Sequence, residues 1–516
     1  MENLNNHHDH NPAPVHLPLA EEKAARSARV AAITVPKTNI IDYVNQAQSP
    51  LGPDLPDKEK ARLTLLANIK KTDLVAVCKQ LGWQGKDEDY PKQKHIKVAL
   101  AHTLISTAKA LNWHLVRNAG YFYIFNGAYW LPLQDDEVKQ LLRDATKNMG
   151  HADIECDALF IDNLFKETIQ RGFFAECHYK KQSIINLRNG SLVLSEQGVT
   201  LKPFDHRDFL THQLDFDYDP NATNSLFQSY LNDVLPDPDT QRTLQQVAGY
   251  LFIKGLKLEK IFFLAGGGAN GKSVFFEILN GLIGKGNITN YSLESLCDAK
   301  GYHRAKIKDA IVNYGTDINL NNIDAGILKT LASQEPIEAR LPYQEPFIMD
   351  DYAKLIFNTN KLDSFNLERT HGFERRLLII PFDQTIPEDQ QDKDLHTKIL
   401  QDRAGVLNWI IEGARQVITT RTLSVSQKCA DYKATFLKDT DPVAQYEEHA
   451  KENLHGSIYF MTLTDAYNDY KAFSLDAGYK HTLIRKNFRQ RMEALGFACH
   501  RKDQGQMLEK NYLKTA

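Results

Sequence analysis

Lys272 and Ser273 are the residues whose type and spacing most clearly predict chemistry. They end the segment 266–273, GGGANGKS, which satisfies the pattern G-x-x-x-x-G-K-[ST]. In such a loop the backbone N–H groups face phosphates, the lysine reaches the β- and γ-phosphates, and the hydroxyl is a ligand for Mg²⁺. The pattern predicts a site for ATP and Mg²⁺ made by Gly266, Gly267, Gly268, Ala269, Asn270, Gly271, Lys272, Ser273 and Val274.

The segments on both sides of this loop are those that the pattern requires. Residues 261–264 are apolar and predict a short buried strand, and the residues after Ser273 are apolar at helical spacing. A strand–loop–helix context is the test that separates a phosphate-binding loop from a glycine-rich turn before a helix. The sequence passes that test, so we interpret the segment as a nucleoside triphosphate site.

Two polar residues follow predicted core strands further along the chain. Residues 311–314 predict a short strand, and Asp317 comes just after it. An acid at the carboxyl end of a core strand suits a group that holds Mg²⁺ and polarises the attacking water, although the surrounding sequence is also typical of a capping Asp in a loop. Residues 354–359 predict a third core strand, which ends at the amide Asn360.

Two further segments place cations beside strands. Arg375 and Arg376 precede an apolar strand at 377–382, where they are either surface charge or residues that meet the γ-phosphate of a neighbouring subunit. Upstream, residues 337–348 predict two short strands about a proline-rich turn, with Arg340 and Tyr343 near its tip.

The composition describes a globular chain and excludes some classes of protein. The 516 residues carry a net charge of −3, which argues against a protein that coats nucleic acid through bulk positive charge. No apolar run approaches the ~18 residues that span a membrane, and the sequence does not open with a signal-peptide pattern. Six cysteines are scattered without a C-x-x-C pair and predict reduced thiols: Cys78, Cys156, Cys177, Cys297, Cys429 and Cys499.

Several other groups have a chemical interpretation that the sequence makes weaker than a structural one. A histidine cluster lies in a polar, proline-containing tail, two carboxylates lie in a polar turn, an aromatic pair of strands surrounds an Asn-Gly turn, and an Asp-x-Asp precedes a proline. We expect a disordered tail at 7–10, a solvated turn at 87–89, a core hairpin at 120–130 and a connecting segment at 215–220.

The C-terminal part predicts a small helical domain with one basic helix. Residues 464–474 and 481–495 read as helices. The second carries His481, Arg485, Lys486, Arg489 and Arg491. This pattern favours a nucleic-acid reader of winged-helix type, with Arg485, Lys486 and Arg489 on DNA, but a solvated amphipathic helix explains the charges almost equally well.

The order of these segments resembles the superfamily 3 helicases. The resemblance is carried by GGGANGKS, the strand before Asp317, LKTLASQEPIEARLPYQEPF, KLIFNTN, FERRLLIIPF and GVLNWIIEG. The chain is most similar to the helicase half of phage- and plasmid-type primase-helicases, which are related to the poxvirus primase-helicase. Upstream, INLRNGSLVL and DFDYDP resemble the domain that precedes the helicase in that family.

The resemblance implies an AAA+-like ATPase that forms a hexameric ring, moves on single-stranded DNA and unwinds forked duplex during replication of a mobile element in a bacterial cytoplasm. It also implies roles for individual residues. Lys272 and Ser273 match the Walker A positions, Asp317 matches the Walker B acid and Mg²⁺ ligand, and Asn360 matches the sensor of the attacking water. Arg375 or Arg376 matches the trans arginine finger, with the choice open, and Arg340–Tyr343 falls at the DNA-gripping pore hairpin.

Two positions depart from the family pattern. The family usually has Glu where this chain has Asp317, and it tends to have Gly where Gln334 stands. The shorter acid is expected to slow hydrolysis or to act through an additional water.

The fold class that we predict is α/β: an AAA+-like core with a parallel sheet flanked by helices, an α+β domain before it and a winged-helix-like domain after it. The predicted segments are a tail at 1–38, a helical region of open role at 39–110, the α+β domain at 111–223, the ATPase domain at 224–420, and a linker with the C-terminal domain at 421–516.

Two other functions remain open from the sequence, and one activity is not expected. An ATP-switched DNA-binding initiator or defence ATPase would bind DNA without processive unwinding, and a small-molecule kinase would leave Arg375, Arg376 and the basic helix unexplained. Relatives often carry a primase domain, but only about 110 residues precede the family region, so we predict no primase active site and a separate primase partner.

Overall fold

The computed structural model describes residues 57–86, 89–111, 115–118, 121–152, 157–171, 182–316, 323–343, 345–360, 371–453, 458–478, 482–503 and 505–512. The predicted acid Asp317, His481 and the N-terminal histidines lie outside these residues. The chain forms two compact units, 1–64 and 65–516, and the boundary falls within helix α1 (Asp57–Asn68). The first unit is described only for the start of that helix, and everything below concerns the second.

The second unit begins with helices and an antiparallel sheet. Its elements are α2 (Leu74–Gln80), α3 (Gln93–Ala110), β1 (Leu115–Asn118), β2 (Tyr121–Phe125), β3 (Trp130–Leu133), α4 (Asp135–Asn148) and α5 (Ala158–Arg171). The predicted Asn-Gly turn is present, because Gly127 has φ +95° and Asn126 Oδ1 accepts from the N–H groups of Ala128 and Tyr129 at 3.0 and 2.8 Å. Four aromatic side chains of this hairpin are core residues at most 2% exposed: Phe122, Tyr123, Phe125 and Trp130.

A second antiparallel sheet and two helices lead to the core. They are β4 (Ser183–Leu187), β5 (Gly190–Ser195), β6 (Gly198–Lys202), α6 (Ser225–Val234) and α7 (Pro238–Tyr250). The Asp-x-Asp segment between them is structural as expected, since Asp215 pairs with Arg188 and Asp219 accepts from the N–H of Asn221 at 2.9 Å. Within the described ranges, no group of three or more His, Cys, Asp or Glu side chains is placed to hold a metal ion.

The core is a five-stranded, entirely parallel sheet in the order β13-β7-β12-β9-β8. Its strands are β7 (Ile261–Ala265), β8 (Ile288–Thr289), β9 (Val312–Gly315), β12 (Lys354–Thr359) and β13 (Leu377–Pro381). Every residue of β7 and of β13 is buried, which is why both strands are continuous apolar runs in the sequence. The α/β core that the sequence predicts is therefore present.

Alternate residues of β7 enter two different apolar clusters. Phe262 and Leu264 belong to the cluster formed with α7, α8 (Lys272–Ile283) and α13 (Arg403–Thr420). Ile261 and Phe263 belong to the cluster on the other face, which includes residues of α9 (Leu293–Leu296) and α10 (Ala325–Ser333). Because side chains alternate along a strand, one short strand joins both layers of helices and fixes the loop that follows it.

The remaining core elements are a short hairpin and the helices near the sheet edge. The hairpin consists of β10 (Ile337–Ala339) and β11 (Phe347–Met349), as predicted, and the helices are α11 (His371–Glu374), α12 (Leu395–Ile399) and α14 (Gln427–Asp439). The sequence predicts only a linker with helical tendency over α14. The helix instead packs on β13, where Lys433 Nζ donates to Leu377 O at 3.0 Å and Phe436 is buried.

The C-terminal elements are α15 (Pro442–Asn453), β14 (Ile458–Thr462), α16 (Leu463–Asp476), α17 (Arg485–Ala494), β15 (Ala498–Lys502) and β16 (Gly505–Asn511). The two predicted helices are present, but the three-stranded antiparallel sheet, in the order β14-β16-β15, was missed as such by the description of this region as helical. Its core includes Phe488, Met492 and Leu508, each 0% exposed. No helix among the described residues combines the length and apolar character needed to cross a bilayer.

Candidate nucleotide-binding site

The phosphate loop connects β7 to α8, and two of its glycines are required by close contacts. A Cβ on Gly266 would lie 2.1 Å from Asn270 Nδ2 and 2.2 Å from Phe382 O. Gly271 has φ +83°, and a Cβ there would lie 2.5 Å from Val234 Cγ1. At both positions the neighbouring atoms exclude any side chain, so the pattern's first and last glycines serve packing as well as backbone conformation.

The middle of the loop faces open space. A Cβ on Gly267 or Gly268 would meet no atom within 4 Å. Gly268, Ala269 and Gly271 all have positive φ, at +109°, +48° and +83°. Positive-φ residues interspersed in a turn curl the backbone into a concavity whose N–H groups can bind an anion. This part of the loop therefore fits a phosphate chain in shape and chemistry.

The Lys272 ammonium is held inside the loop. The residue is 4% exposed, and its Nζ donates to Gly266 O at 2.7 Å and to Asn270 Oδ1 at 2.8 Å. Asn270 is itself fixed, because its Nδ2 donates to Phe382 O at 2.9 Å. Burial lowers the pKa of Lys272 from its ordinary value, since the loop removes water from the charged amine. A positive charge thus lies where phosphates would enter.

Tyr230 supports the loop from the upstream helix α6. Its hydroxyl donates to Gly271 O at 2.9 Å, and its ring lies beside Gly271. Burial raises the pKa of Tyr230, so it remains a neutral donor. The sequence analysis missed this residue; its only sequence signal is a place on the apolar face of a helix that precedes the phosphate-loop strand.

The carboxyl end of β12 adjoins the start of the loop. The N–H of Gly266 donates to Thr359 O at 3.1 Å, and Asn360 follows directly with an exposed side chain. The neighbouring amide Asn358 is buried and accepts from Tyr314 OH at 2.8 Å, so it braces β12 against β9. Asn360 therefore lies at the same sheet edge as Lys272, as the parallel strands require.

The remaining predicted loop residues differ in exposure. Ser273 is exposed in the first turn of α8, where its hydroxyl is a suitable donor for a metal beside bound phosphates. Val274 is half-buried and packs against the core. The candidate acid Asp317 lies two residues beyond β9 and outside the described residues, so the second oxygen ligand stays a prediction.

Arg375 and Arg376 lie at the opposite edge of the sheet from the phosphate loop. Arg376 O accepts from the N–H of Ile261, the first residue of β7, whereas the loop follows the last residue of that strand. Five residues of strand separate the two edges by about 16 Å. Neither arginine is therefore placed to reach the phosphate loop of its own chain.

The two arginines have different surroundings. Arg376 is 12% exposed in its side chain, and its Nε and Nη2 donate to Ser333 Oγ at 3.0 and 2.7 Å. Arg375 is 47% exposed in its side chain, with Nη2 2.5 Å from Glu259 Oε2. Both guanidinium groups pair with Glu259, since Arg376 Nη2 lies 3.3 Å from the same Oε2, but Arg376 is nearly buried and also holds Ser333, while Arg375 is about half exposed.

The hairpin of β10 and β11 presents Tyr343 to solvent. Tyr343 has φ +61° and is fully exposed, and the neighbouring Gln344 lies outside the described residues. Arg340 Nη2 donates to Tyr302 OH at 3.2 Å, and its guanidinium lies 5.6 Å from the centre of that ring. Arg340 is therefore exposed but braced, and Tyr343 stands free at the tip.

The surroundings of Gln334 show how a residue other than glycine is accommodated at this position. It ends α10 with φ +51° and ψ +41°, the left-handed conformation in which glycine has no steric cost. Its side chain compensates by bonding to Lys354 Nζ and donating to Tyr352 O at 3.4 Å. Burial lowers the pKa of Lys354 to about 8. The turn before the hairpin is thereby tied to the beginning of β12.

The basic helix α17 divides its cations between two directions. Arg485 and Lys486 are exposed, and Arg489 pairs along the helix with Glu493 at 2.9 Å. Arg491 instead bonds to Asp441, whose side chain is only 4% exposed. The cations of this helix therefore differ: Arg491 pairs with a buried carboxylate of its own chain, while Arg485, Lys486 and Arg489 are accessible to a ligand.

Two family models match parts of the chain. One, described as "D5 N terminal like", matches residues 102–236, and the other, described as "Family of unknown function (DUF5906)", matches residues 264–376. The first includes Tyr230, which supports the phosphate loop. The second begins in β7 and ends at Arg376, so it spans the loop, the hairpin and both arginines.

The solved structures similar to this chain include three of one protein. Two are described as the A form apo structure of the NrS-1 C terminal region, with 10% identity, TM-scores of 0.42 and 0.44, and coverage of 79% and 81% of this chain and 98% and 99% of theirs. The third, the apo structure of that region, has 11% identity, a TM-score of 0.41, and coverage of 80% and 98%. The function must be argued from the site itself.

Proposed function

We propose that this protein is an ATP-dependent DNA helicase of superfamily 3, which acts in replication of a phage, plasmid or other mobile element. The observation that carries the proposal is the buried Lys272 ammonium, 2.7 Å from Gly266 O, within a glycine loop that is open on its outer side. A buried cation beside a concavity of N–H groups is the arrangement that binds the phosphates of a nucleotide.

The chemistry is hydrolysis of ATP by positioning and charge stabilisation. The loop N–H groups and Lys272 bind the phosphates and stabilise the charge that develops on them. Ser273 and Asp317 would hold Mg²⁺, which neutralises charge on the β- and γ-phosphate oxygens when bound. Asn360, at the same sheet edge, orients the attacking water. Moving this water only slightly would slow hydrolysis strongly, because catalysis here depends on orientation.

Assembly supplies the last catalytic group. Arg375 lies about 16 Å of strand away from its own phosphate loop, which supports a role on the γ-phosphate of an adjacent subunit. Its exposure in comparison with Arg376 favours Arg375 as that finger. Head-to-tail contacts of this kind close into a ring, and the family resemblance puts the number of subunits at six.

Two surfaces are proposed to contact DNA. Tyr343 and Arg340 on the hairpin would grip the backbone of single-stranded DNA in the pore. The C-terminal elements run helix, strand, helix, helix, strand, strand, which is the order of a winged helix, and Arg485, Lys486 and Arg489 lie on the helix that would read DNA. The D5 N-terminal-like match supports a role in replication. We propose that the work is done in a bacterial cytoplasm with a separate primase, and that this chain makes no primers itself.

The test compares ATP turnover with and without single-stranded DNA and, in parallel, unwinding of a forked duplex. Lys272→Ala should abolish both activities, while Lys285→Ala, at an exposed position two residues beyond the far end of α8, is the control and should keep them. Near-normal hydrolysis by Lys272→Ala would refute the site. Turnover without strand separation would instead support an ATP-switched DNA-binding initiator, which the outward cations of α17 also favour.

A further inference from the structure

Arg491 links the basic helix α17 to the segment that carries Arg375. Its Nη2 bonds to Asp441, and its Nη1 lies 3.6 Å from Glu374 Oε1. Glu374 is the residue directly before Arg375 and ends α11. The guanidinium of Arg491 therefore contacts both the residue before the proposed finger Arg375 and Asp441, which lies between α14 and α15.

Both partners of Arg491 are fixed in the structure. Asp441 uses its Oδ1 to accept from the N–H of Val443 at 2.9 Å, so that its Oδ2 remains for Arg491. The segment after Glu374 is held because Arg376 N donates to Phe373 O at 2.9 Å, and Phe373 is 3% exposed. A displacement of Arg491 would therefore change the contacts of the short, well-packed segment 373–376.

The other end of the same helix is available to a ligand. Arg485 and Lys486 are exposed at its first turn, and Arg491 follows six residues later, about 9 Å along the helix axis. Phe488, between these cations, and Met492, directly after Arg491, are buried, so the helix is anchored in the C-terminal core and moves with it. A displacement of the first turn by a bound ligand would therefore also move Arg491, because both lie on one helix.

We propose that Arg491 is a positioning residue through which duplex DNA bound at α17 changes the setting of Arg375, and hence ATP turnover in the adjacent subunit. This inference rests on the proposed function, and it adds a regulatory route that the catalytic residues do not supply. The competing interpretation is that the ion pairs only dock the C-terminal domain. Docking alone would affect stability but not the response of turnover to duplex.

The test uses Glu374→Gln in the full chain, because this change removes the charge and leaves the buried Asp441 paired. DNA-free turnover and duplex affinity should stay unchanged, while stimulation by duplex should fall by about fivefold or more, the usual size of such couplings. Arg491→Lys, which keeps the positive charge, should retain part of the stimulation. Glu448→Gln is the matched control. Glu448 pairs with Lys438 and so joins α14 to α15, the two helices on either side of Asp441, but this pair does not include a residue of the segment 373–376.

Each outcome bears on the inference. Equal stimulation in the parent chain and Glu374→Gln would overturn it, as would a parent whose turnover does not respond to duplex. If the parent hydrolyses no ATP, the proposed function fails separately, and hydrogen exchange decides the link. Duplex should then change protection of the 373–376 amides in the parent but not in Glu374→Gln, and unchanged protection in the parent would overturn the link as well.

Discussion

The hydroxyl of Tyr230 donates to the carbonyl oxygen of Gly271 at 2.9 Å, so α6, a helix that precedes the core sheet along the chain, holds the glycine loop at its last residue. The same carbonyl accepts from the N–H of Phe275 at 3.1 Å as part of α8. The loop is thus fixed from two sides, by its own helix and by α6. This relationship makes α6 part of the candidate nucleotide site and not merely its neighbour.

Tyr230→Phe should weaken ATP binding more than it destabilises the fold. The variant loses one hydrogen bond, worth about 1 kcal/mol of unfolding free energy, while the Gly271 carbonyl keeps its helical partner. Urea unfolding and ATP titration measure the two effects. Tyr250→Phe is the control, because its hydroxyl donates to Leu256 O at 3.0 Å and accepts from the N–H of Leu258 at 3.1 Å, away from the loop, and ATP affinity should stay unchanged. Equal ATP affinity in Tyr230→Phe and the parent would contradict the role.

Gly271→Ala should abolish nucleotide binding, whereas Gly286→Ala should be tolerated. Both glycines have positive φ, at +83° and +94°, so both substitutions cost about 1–2 kcal/mol of backbone strain. Only at Gly271 would the new Cβ also lie 2.5 Å from Val234 Cγ1; at Gly286 it meets no atom within 4 Å. Fluorescent-nucleotide binding checks the difference. ATP bound normally by Gly271→Ala would show that the loop can move away from α6.

Arg375→Ala should lose ATP turnover yet fold normally, because the side chain is exposed. Arg376→Ala should destabilise the chain, since Arg376 holds Ser333 on α10. A mixing experiment tests action in trans: Arg375→Ala and Lys272→Ala, each inactive alone, should regain turnover together, because an intact loop then meets an intact finger at some interfaces. Mixtures that stay inactive, or an active Arg375→Ala alone, would exclude Arg375 as the trans finger.

Lys354 should make the protein more stable as the pH rises above 8. Burial lowers its pKa to about 8, well below the ordinary value of a lysine, so between these two values the unfolded chain binds more protons than the folded one. Stability should therefore grow from about pH 8 upward and fall as the pH returns through 8, by at most about 3 kcal/mol in all. Urea unfolding of the parent and Lys354→Met from pH 7 to 9.5 isolates this contribution. Parallel curves for the two proteins would contradict it.

The residues of the candidate nucleotide site were predictable from the sequence because the proposed chemistry depends on neighbouring residues. The loop 266–273 needs glycines at fixed spacings and a lysine next to a helix start, and these requirements appear in consecutive residues. The strands β7 and β13 were predictable for a related reason, since burial on both faces makes each a short, continuous apolar run, and β9 and β12 were predictable from the shorter apolar or β-branched stretches that they contain. The hairpin between β10 and β11 followed from its proline-rich turn.

Other features had no local signal. The helix α14 is polar along most of its length, so only its packing on β13 distinguishes it from a linker, and the short amphipathic strands of the C-terminal sheet read as parts of helices or loops. Tyr230 was an ordinary residue in the sequence, and Gln334 was noted only as a departure from the family pattern, without a role. Their importance arises from Gly271 and Lys354, which are 41 and 20 residues away along the chain.

The sequence by itself determined that this chain has a glycine loop between a strand and a helix of an α/β core, because both features depend on residues that are neighbours along the chain. Only the tertiary structure decided which groups share an edge of the sheet. It placed Asn360 beside the loop and placed Arg375 and Arg376 at the other edge. It also paired Arg376 with Ser333 by a hydrogen bond, while the side chain of Arg375 stays about half exposed. Strand order and side-chain pairing depend on contacts between distant segments, and such contacts form only when the chain packs.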